Sequence, residues 1–380
     1  MAVTHAPNTG TILAPLREHA ERHPDKLLYA FLDREGRLAE SYTYAGFLQR
    51  TAEIAAHVAR THPLAPGARV LLVYPPGLEM ICAFFACVRL GVIPVPVYPP
   101  ASQGFAGALY RLDYIARDCG AEGALTDRSY FWSLKVHRAR TRIASLSFGQ
   151  NYSDRLRWIV TGDAERGVAW DDRPAPSGIL FLQYTSGSTH DPKGVMVTHQ
   201  NVLQNCASVI DHLPVGVSWL PQYHDLGLIG SYLFMGLRGG TTYGFSPIDF
   251  LQRPWLWLEA ISRYRATISA APNFAYAYCL RREKLPEERL QGIDLSSLEV
   301  LMNCAEPVRA DVVRKFQERF APFGLRAESF FASYGLAEYT LAVSSRGRTI
   351  RAFDRARMAE NEVREAAASD PDARSATLVS

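Results

Sequence analysis

Residues 184–194 read Tyr184-Thr185-Ser186-Gly187-Ser188-Thr189-His190-Asp191-Pro192-Lys193-Gly194. Apolar runs flank this stretch at 179–182 and 195–197, so the pattern predicts a strand, a loop and a second strand. Glycines let backbone N–H groups turn toward an anion, hydroxyls donate further hydrogen bonds, and lysine supplies a mobile positive charge. The loop therefore suits the phosphates of a nucleotide. A polar hairpin loop without function is the alternative, and it is the more frequent meaning of a short Ser/Gly run alone.

The spacing of this loop differs from that of a Walker loop, in which Gly-Lys-Ser/Thr opens directly into a helix. Here Lys193 leads into an apolar strand. The stretch instead resembles the phosphate-binding signature of the adenylate-forming superfamily, which includes acyl-CoA ligases, luciferases, peptide-synthetase adenylation domains and fatty acyl-AMP ligases. These enzymes join a carboxylate to AMP and release pyrophosphate, so the resemblance implies ATP and Mg²⁺ as cofactors.

Three further motifs follow in the order of that family. Residues 219–230, Trp-Leu-Pro-Gln-Tyr-His-Asp-Leu-Gly-Leu-Ile-Gly, resemble the second core motif in the form typical of fatty acyl-AMP ligases. Residues 303–308 resemble the segment beside the adenine, and residues 333–338 resemble the motif whose tyrosine stacks on adenine and whose glutamate binds magnesium. The resemblance implies these nucleotide-binding residues: Thr185, Ser186, Gly187, Ser188, Thr189, Asn303, Cys304, Ala305, Glu306, Pro307, Ser333, Tyr334, Gly335, Leu336 and Ala337.

The candidates for catalysis are His224, Lys193 and Glu338. The substrate carboxylate must approach the α-phosphorus of ATP, and Lys193, magnesium and the loop donors would offset the repulsion between these two anions. Glu338 is the candidate metal ligand because Mg²⁺ prefers hard oxygen donors, the alternative being a glutamate favoured at a helix N-terminus. In the resembling family the histidine lies near the acyl carboxylate. His224 would donate a hydrogen bond there rather than act as a base, because a fatty carboxylate is already ionised at neutral pH.

Several neighbouring residues have both a functional and a structural interpretation. Asp225 supports His224 or simply N-caps a helix, and Tyr334 packs on adenine or belongs to the core. The acyl pocket should be apolar. Seven residues within or between the motifs are candidates for its lining, although each alone is more often a core residue: Tyr232, Phe234, Met235, Phe274, Tyr276, Tyr278 and Met302.

The composition is that of a globular protein. A chain of 380 residues suggests two or three packed lobes, and 48% hydrophobic with 21% charged residues leaves little room for extended disorder. The net charge of +3 and the lack of a concentrated basic block argue against nucleic acid. No apolar stretch is long enough to span a bilayer. The six cysteines are scattered and form no CxxC pair, which predicts buried free thiols in the cytoplasm.

Apolar strands alternate with amphipathic helices along the chain. The clearest helices are predicted at 42–62, 78–90, 109–118, 201–212, after Asp225 and at 310–320. Strands are predicted at 69–73, 92–95, 215–220, 298–302 and 329–332, with a hairpin-like pair near Leu28 and Leu38. This rhythm predicts an α/β fold with mostly parallel sheets flanked by helices, and the resemblance makes it a multi-lobed adenylate-forming N-terminal domain.

We expect two α/β subdomains, 1–172 and 173–380, because turn formers and charge interrupt the apolar segments near 172–178. The polar segment from Arg346 to Arg374 lies where fatty acyl-AMP ligases carry an insertion, although composition alone favours a surface loop. The chain stops at 377–380 while entering a strand. The family continues with a small lobe that carries a catalytic lysine, so we expect a truncated large domain.

Two positions bear on the subclass. Ala337 stands where many superfamily members have threonine, as it does in fatty acyl-AMP ligases, and Cys304 stands where glycine is common. The interpretation is therefore a fatty acyl-AMP ligase that activates a fatty acid for an acyl carrier protein or a polyketide/peptide synthase module. An acyl-CoA ligase is the alternative among enzymes, and a non-catalytic module that binds acyl-adenylate is the alternative outside them.

Overall fold

The largest element of the structure is a sheet built from strands at both ends of the chain. The computed structural model describes residues 10–100, 105–145, 152–173, 178–185, 191–209, 214–354, 357, 362, 365 and 375–379. The strands, in chain order, are β1 Leu27–Leu32, β2 Leu38–Thr43, β3 Arg69–Leu72, β4 Ile93–Pro96, β5 Gly123–Thr126, β6 Arg157–Val160, β7 Ile179–Thr185, β8 Lys193–Thr198, β9 Val215–Ser218, β10 Thr241–Gly244, β11 Ile268–Pro272, β12 Val300–Cys304, β13 Phe330–Gly335, β14 Ala342–Gly347, β15 Ile350–Asp354 and β16 Ser375–Val379.

Eight of these strands form the large sheet, in the order β14-β13-β12-β11-β9-β10-β1-β2. The pairs from β13 across to β1 are parallel, and the two edge pairs, β13–β14 and β1–β2, are antiparallel. The register aligns Ile268 of β11 with both Gly216 of β9 and Val300 of β12. A parallel sheet gathers the carboxyl ends of its strands at one edge, and this edge is where ligands bind in open α/β folds.

The remaining strands form smaller units. The order β4-β3-β5-β6 is an all-parallel sheet of four strands, β7 and β8 form an antiparallel hairpin, and β15 pairs antiparallel with β16. The predicted α/β class with mostly parallel sheets is confirmed, and so is the strand–loop–strand pattern around residues 184–194. The predicted strand at 298–302 begins and ends two residues later, at Val300–Cys304.

Helices cover the sheets. They are α1 Leu13–Arg22, α2 Tyr44–Thr61, α3 Leu78–Leu90, α4 Phe105–Asp118, α5 Arg128–Ser145, α6 Tyr152–Arg155, α7 His199–Val209, α8 Phe234–Leu237, α9 Pro247–Gln252, α10 Trp255–Arg263, α11 Asn273–Cys279 and α12 Ala310–Phe320. The helix predicted after Asp225 is present, but its first two turns, Leu226–Leu233, are π-helical and run directly into α8. Short π-helical segments of this kind occur often at functional sites.

The sequence explains the bounds of α3 and α12. Helix α3 is almost entirely buried and contacts α2, β3 and β4, and it ends where Gly91 adopts a φ of 68°, the left-handed conformation that glycine allows. Helix α12 buries only one stripe, which includes Val313, Phe316 and Phe320. Its apolar residues recur at helical spacing, so the predicted bounds 310–320 agree with the observed ones.

The predicted division near residue 172 does not coincide with the sheets. Strands β1 and β2 lie in the large sheet, whose other strands come from residues 215–347. The Tyr29 hydroxyl donates to the Tyr232 carbonyl at 2.8 Å, and the Tyr44 hydroxyl donates to the Gly240 carbonyl at 2.8 Å, so buried hydrogen bonds also join the two parts. The boundaries stay a prediction, and residues 174–177 lie outside the described ranges.

The predicted insertion at 346–374 is described only in part. Strand β15 and the end of β14 lie within it, and Glu365 forms an isolated bridge to Phe353. Most of the segment after Asp354 lies outside the described residues, so its identity as an insertion stays a prediction. The strand expected at the end of the chain is present as β16.

Candidate active site

Three of the four predicted motifs lie at one edge of the large sheet. His224 and Asp225 follow β9, Ala305 follows β12, and Tyr334 lies at the end of β13. These strands are parallel neighbours in the sheet, with β11 between β9 and β12. Segments separated by more than a hundred residues therefore come together because the carboxyl ends of parallel strands share one edge.

The phosphate-binding candidates lie on the β7–β8 hairpin. Thr185 is the last residue of β7 and pairs in register with Lys193, the first residue of β8, whose side chain is exposed. The loop between them carries Ser186, Gly187, Ser188 and Thr189, which lie outside the described residues. The ring of Tyr184 lies over Gly194, where a Cβ atom would come within 2.9 Å of it.

His224 lies in the turn that precedes the π-helical segment. Its backbone N–H donates to the Pro221 carbonyl at 3.1 Å, and its ring lies 4.8 Å from that of Tyr223. The residue as a whole is exposed. Desolvation by the surrounding protein nevertheless lowers the pKa of His224 below its ordinary value, and the charge of Asp225 opposes this effect. Neutral imidazole is therefore the favoured form at neutral pH.

Asp225 caps the helical segment, and its charge also acts on His224. Its carboxylate accepts a hydrogen bond of 2.7 Å from the Leu226 N–H and so caps the helical segment. Desolvation raises the pKa of the Asp225 carboxyl, and the nearby charge of Glu338 raises it further.

Glu338 lies in a short 3₁₀ turn, Ala337–Tyr339, and its side chain is exposed. This turn contacts β8, the strand that begins with Lys193. Glu338 thus lies in the first turn of a short helix, as the structural alternative expects, and its role as a metal ligand stays a prediction. Within the part of the chain that the structure describes, no three His, Cys, Asp or Glu side chains are grouped closely enough to hold a metal by themselves.

The segment beside the predicted adenine begins inside β12. Asn303 is fully buried, and its amide nitrogen donates to the Asn273 Oδ1 atom at 3.1 Å. Cys304 is buried, and burial raises the pKa of its thiol to about 12, so it is a neutral wall residue. Ala305 has a φ of 67°, a conformation that non-glycine residues rarely adopt. The Glu306 carboxylate accepts a hydrogen bond from the Phe274 N–H, and Pro307 is exposed.

The motif at the end of β13 presents an open aromatic face. Tyr334 is 60% exposed, which excludes the alternative of a core tyrosine. Gly335 allows a close approach, since a Cβ atom there would lie 1.8 Å from the Leu341 carbonyl oxygen. That same oxygen accepts a hydrogen bond from the Leu336 N–H at 3.0 Å, and Ala337 is buried beneath the turn.

Buried polar atoms without a hydrogen-bond partner lie in these motifs. Among the described residues they include the Oδ1 atom of Asn303, the hydroxyl of Ser333 and the Oε1 atom of Gln183. Asn303 and Ser333 lie on the paired strands β12 and β13. An unsatisfied buried polar atom costs free energy, so its recurrence at one edge of the sheet points to a polar ligand or to water there.

An apolar cavity extends inward from this edge, between the large sheet and the helical segment 226–237. It has an empty volume of about 840 Å³, which includes solvent at its open mouth. Its outer part, which we call the mouth, is lined at or after the carboxyl ends of the strands by Asp225, Cys304, Ser333, Tyr334 and Gly335. Of the seven predicted acyl-pocket residues, Phe234, Met235 and Met302 line the cavity.

The other four predicted pocket residues lie elsewhere. Tyr232 and Tyr276 are buried in the cores on either side, Phe274 contacts Trp219 at a ring distance of 6.0 Å, and the Tyr278 hydroxyl donates to the Leu251 carbonyl. Tyr232 and Tyr276 thus contribute to core packing, whereas Phe274 is 43% exposed.

The polar groups of the deeper cavity wall are engaged by the protein itself. Its four hydroxyl residues bond as follows: Ser218 accepts from the Leu220 N–H, Ser231 donates to the Leu226 carbonyl, Thr242 donates to the Ser231 carbonyl, and Ser269 donates to the Val217 carbonyl. The wall therefore offers a ligand mainly carbon atoms. These residues and Gly216 were not predicted, although a lone glycine in an apolar strand is a known signal of close packing against the backbone.

A second cavity is lined in part by His224. Its lining includes Tyr98, Arg111, Thr185 and Tyr223, and its empty volume is about 1270 Å³ including open solvent.

No helix in the described ranges is long and apolar enough to cross a lipid bilayer.

Comparison with known proteins agrees with this geometry. The AMP-binding enzyme family matches residues 16–364. The chain is 36% identical over 348 residues to a medium-chain-fatty-acid–[acyl-carrier-protein] ligase from Moorena producens, covering 90% of this chain and 57% of that protein. It is 35% identical over 356 residues to a long-chain-fatty-acid–AMP ligase from Mycolicibacterium smegmatis, covering 89% of this chain and 54% of that protein.

Solved structures give the same result. A fatty acid AMP ligase from Legionella pneumophila superimposes with a TM-score of 0.84 at 34% identity, covering 97% of this chain and 63% of that one. A fatty acyl-adenylate ligase from L. pneumophila in complex with acyl adenylate and pyrophosphate gives a TM-score of 0.83 at 35% identity, with the same coverage. The chain spans little more than half the length of the curated relatives it matches. The resemblance in the four motifs is thus confirmed, and the chain belongs to the family of AMP-binding enzymes.

Proposed function

We propose that this chain is the nucleotide- and acyl-binding part of a fatty acyl-AMP ligase. The reaction joins a fatty acid to AMP from ATP, releases pyrophosphate, and passes the acyl group to the thiol of an acyl carrier protein or a synthase module. The relative from M. producens is named as a ligase of a fatty acid and an acyl carrier protein, and the relative from M. smegmatis as a ligase of a fatty acid and AMP.

The single observation that carries the proposal is the continuity of one cavity. Its mouth consists of residues from the predicted adenine motifs, including Tyr334 and Cys304, and its inner wall of residues such as Phe234 and Met235. An adenylate with an apolar tail has this distribution of polarity. The hydroxyls of the inner wall are engaged by backbone groups, so that part of the cavity favours hydrocarbon over a polar ligand.

The chemistry requires a carboxylate oxygen to attack the α-phosphorus of ATP while the bond from that phosphorus to the pyrophosphate oxygen breaks. Lys193 and the hydroxyl loop that precedes it would hold the phosphates and spread the charge that develops on them. His224 is neutral at neutral pH and retains one N–H, which would donate to the carboxylate or α-phosphate without taking a proton. No general base is needed, because the attacking group is already ionised.

The residues present fit a magnesium ion carried by the nucleotide. Glu338 is an exposed carboxylate, and its charge contributes to the raised pKa of the Asp225 carboxyl. Oxygen ligands suit Mg²⁺, which usually keeps several waters and binds through one or two carboxylates and the substrate phosphates. When bound, the ion would neutralise phosphate charge.

The six free thiols agree with a reducing compartment such as the cytoplasm.

The test is direct binding and product retention. The purified chain is incubated with ATP, Mg²⁺ and mixed fatty acids, and mass spectrometry identifies the retained ligand; calorimetry then compares dodecanoyl-AMP with AMP. We expect retained acyl-AMP and an affinity for dodecanoyl-AMP at least a hundredfold above that for AMP, because burying even about four methylenes contributes about 3 kcal/mol. Equal affinities would contradict the proposal. Efficient acyl-CoA formation by the whole protein would instead assign it to the acyl-CoA ligases.

A further inference from the structure

We propose that Met235, packed on Gly216, forms the floor of the apolar cavity and sets the longest straight acyl chain that the site accepts. The inference rests on the proposed function, since it assigns the acyl tail to this cavity. It identifies a residue that determines specificity for chain length.

The sheet register gives the direction and depth of the cavity. The nucleotide motifs lie at the carboxyl ends of the strands. The inner end of the cavity is therefore the part that lies nearer the amino ends of these strands. A row of three paired residues, Thr242, Gly216 and Ile268, lines that inner end. Ile268 also pairs with Val300, and Cys304 at the mouth lies four residues further along β12. At about 3.3 Å per residue, the inner row is about 13 Å from the level of Cys304.

Met235 and Gly216 close this inner end together. The Met235 side chain is buried, and a Cβ atom on Gly216 would lie 2.7 Å from its terminal methyl and 3.6 Å from its sulfur. The thioether therefore occupies the recess that glycine leaves in the strand. Methionine fills irregular gaps because it is unbranched and flexible, so its replacement changes the depth of the cavity without requiring the backbone to move.

The floor offers the end of an acyl chain only apolar contact. Thr242 is the polar residue of the inner row, and its hydroxyl donates a hydrogen bond of 2.6 Å to the Ser231 carbonyl. A chain that reaches Met235 gains burial for each methylene up to that point and none beyond it. Affinity should thus rise about fourfold per methylene and then stop rising at a defined length.

Two substitutions move this limit in opposite directions. M235A removes the thioether arm, so the limit should move outward by about two methylenes, a length similar to that of the deleted atoms. The acyl-AMP whose chain is two methylenes longer than the wild-type limit can bury both of these methylenes only in M235A. It should therefore bind at least about tenfold tighter to M235A than to the wild type. G216A displaces the Met235 methyl into the cavity, so the limit should move inward by about one methylene.

The experiment measures dissociation constants by calorimetry for acyl-AMP mixed anhydrides from octanoyl to octadecanoyl, with the whole chain and with both variants. M302A is the matched control, because Met302 lines the same cavity nearer the mouth. Its length limit should equal that of the wild type, whatever its affinity. Circular dichroism establishes whether each variant is folded. If M235A does not fold, G216A still tests whether Met235 forms the floor.

The outcomes separate this inference from the proposed function. A length limit that is longer in M235A or shorter in G216A than in the wild type supports the assignment of Met235 as the floor. An unchanged limit in the folded variants would overturn it while leaving the proposed function in place. A wild type whose affinity does not depend on acyl length would overturn both.

Discussion

The buried Gln183 amide donates a hydrogen bond of 2.9 Å to the backbone carbonyl of Tyr223. Gln183 lies on β7, two residues before the loop that we assign to the phosphates, and Tyr223 directly precedes His224. The bond therefore holds the phosphate hairpin against the segment that presents the candidate catalytic histidine. Two motifs that are 40 residues apart in the chain are positioned by one side chain.

Replacing Gln183 by leucine keeps the volume but leaves the Tyr223 carbonyl without this donor. We expect a loss of about 1–3 kcal/mol in the free energy of unfolding, the usual cost of an unsatisfied buried acceptor. Affinity for MgATP should fall as well, because the hairpin is no longer held against His224. Urea unfolding and calorimetry measure the two effects. Q317L is the control: Gln317 makes a similar bond, to the Ala327 carbonyl at 3.3 Å, near the surface. Equal losses in both variants would contradict the linking role.

Lys193 is exposed, so its replacement by alanine should leave the fold intact. A charge-assisted contact with phosphate contributes about 1.5–3 kcal/mol, which corresponds to a dissociation constant for ATP about 10- to 150-fold higher. Titration calorimetry measures it, and thermal unfolding checks the fold. K315A, on the exposed face of α12, should bind ATP as the wild type does. Wild-type affinity in K193A would show that the lysine does not contact the nucleotide.

Glu338 should act through the metal. E338Q keeps the volume and removes the charge, so it should abolish most of the gain in ATP affinity that Mg²⁺ provides and leave binding of preformed acyl-AMP almost unchanged. Both affinities are measured with and without Mg²⁺. E328Q changes an exposed glutamate in another 3₁₀ turn and should have neither effect. An equal loss of ATP and acyl-AMP binding would indicate a structural role for Glu338 instead.

The exposed ring of Tyr334 should stack on the adenine. Y334A should weaken AMP binding by the cost of one base–aromatic stack, about 1–3 kcal/mol, whereas Y334F should retain most of the affinity. Y339A is a matched control, since Tyr339 is 64% exposed and lies in the neighbouring turn. Calorimetric titration with AMP distinguishes the three. Loss of binding in Y334F would point to the hydroxyl rather than to the ring.

His199 gives the fold a dependence on pH. Burial lowers the pKa of His199 to about 4, and its Nδ1 atom accepts a hydrogen bond from the Ile12 N–H at 3.3 Å. The unfolded chain binds this proton near pH 6.5, so the stabilisation is complete above that pH and is lost as the pH falls toward 4. Between pH 7 and pH 5 this group should lower the free energy of unfolding by about 2 kcal/mol.

H199N tests this prediction, because the asparagine Oδ1 atom can accept the same hydrogen bond and does not titrate. Urea unfolding at pH 7 and pH 5 should show a smaller pH dependence for H199N than for the wild type, by about 2 kcal/mol. The same pH dependence in both proteins would mean that other groups account for it.

Local features of the chain were predictable because they depend on neighbours in sequence. The apolar pattern and the glycine at 91 determine α3, and the 3.6-residue period determines α12, so both sets of bounds agree with the structure. The order of the four motifs identified the family for the same reason. Each motif is a short run of residues whose types alone suggest its chemistry.

Tertiary structure decided which strands form the large sheet and which residues line the cavity. Nothing near β1 predicts that it pairs with β10, more than 200 residues later, rather than with the strands of its own half. Likewise, Phe234 and Met235 line the cavity while Tyr232 is in the core, although all three lie on one continuous helical segment. Hydrophobicity identifies which side chains leave water. Which apolar surface each one meets depends on long-range strand register, and that register places Gly216 opposite Met235.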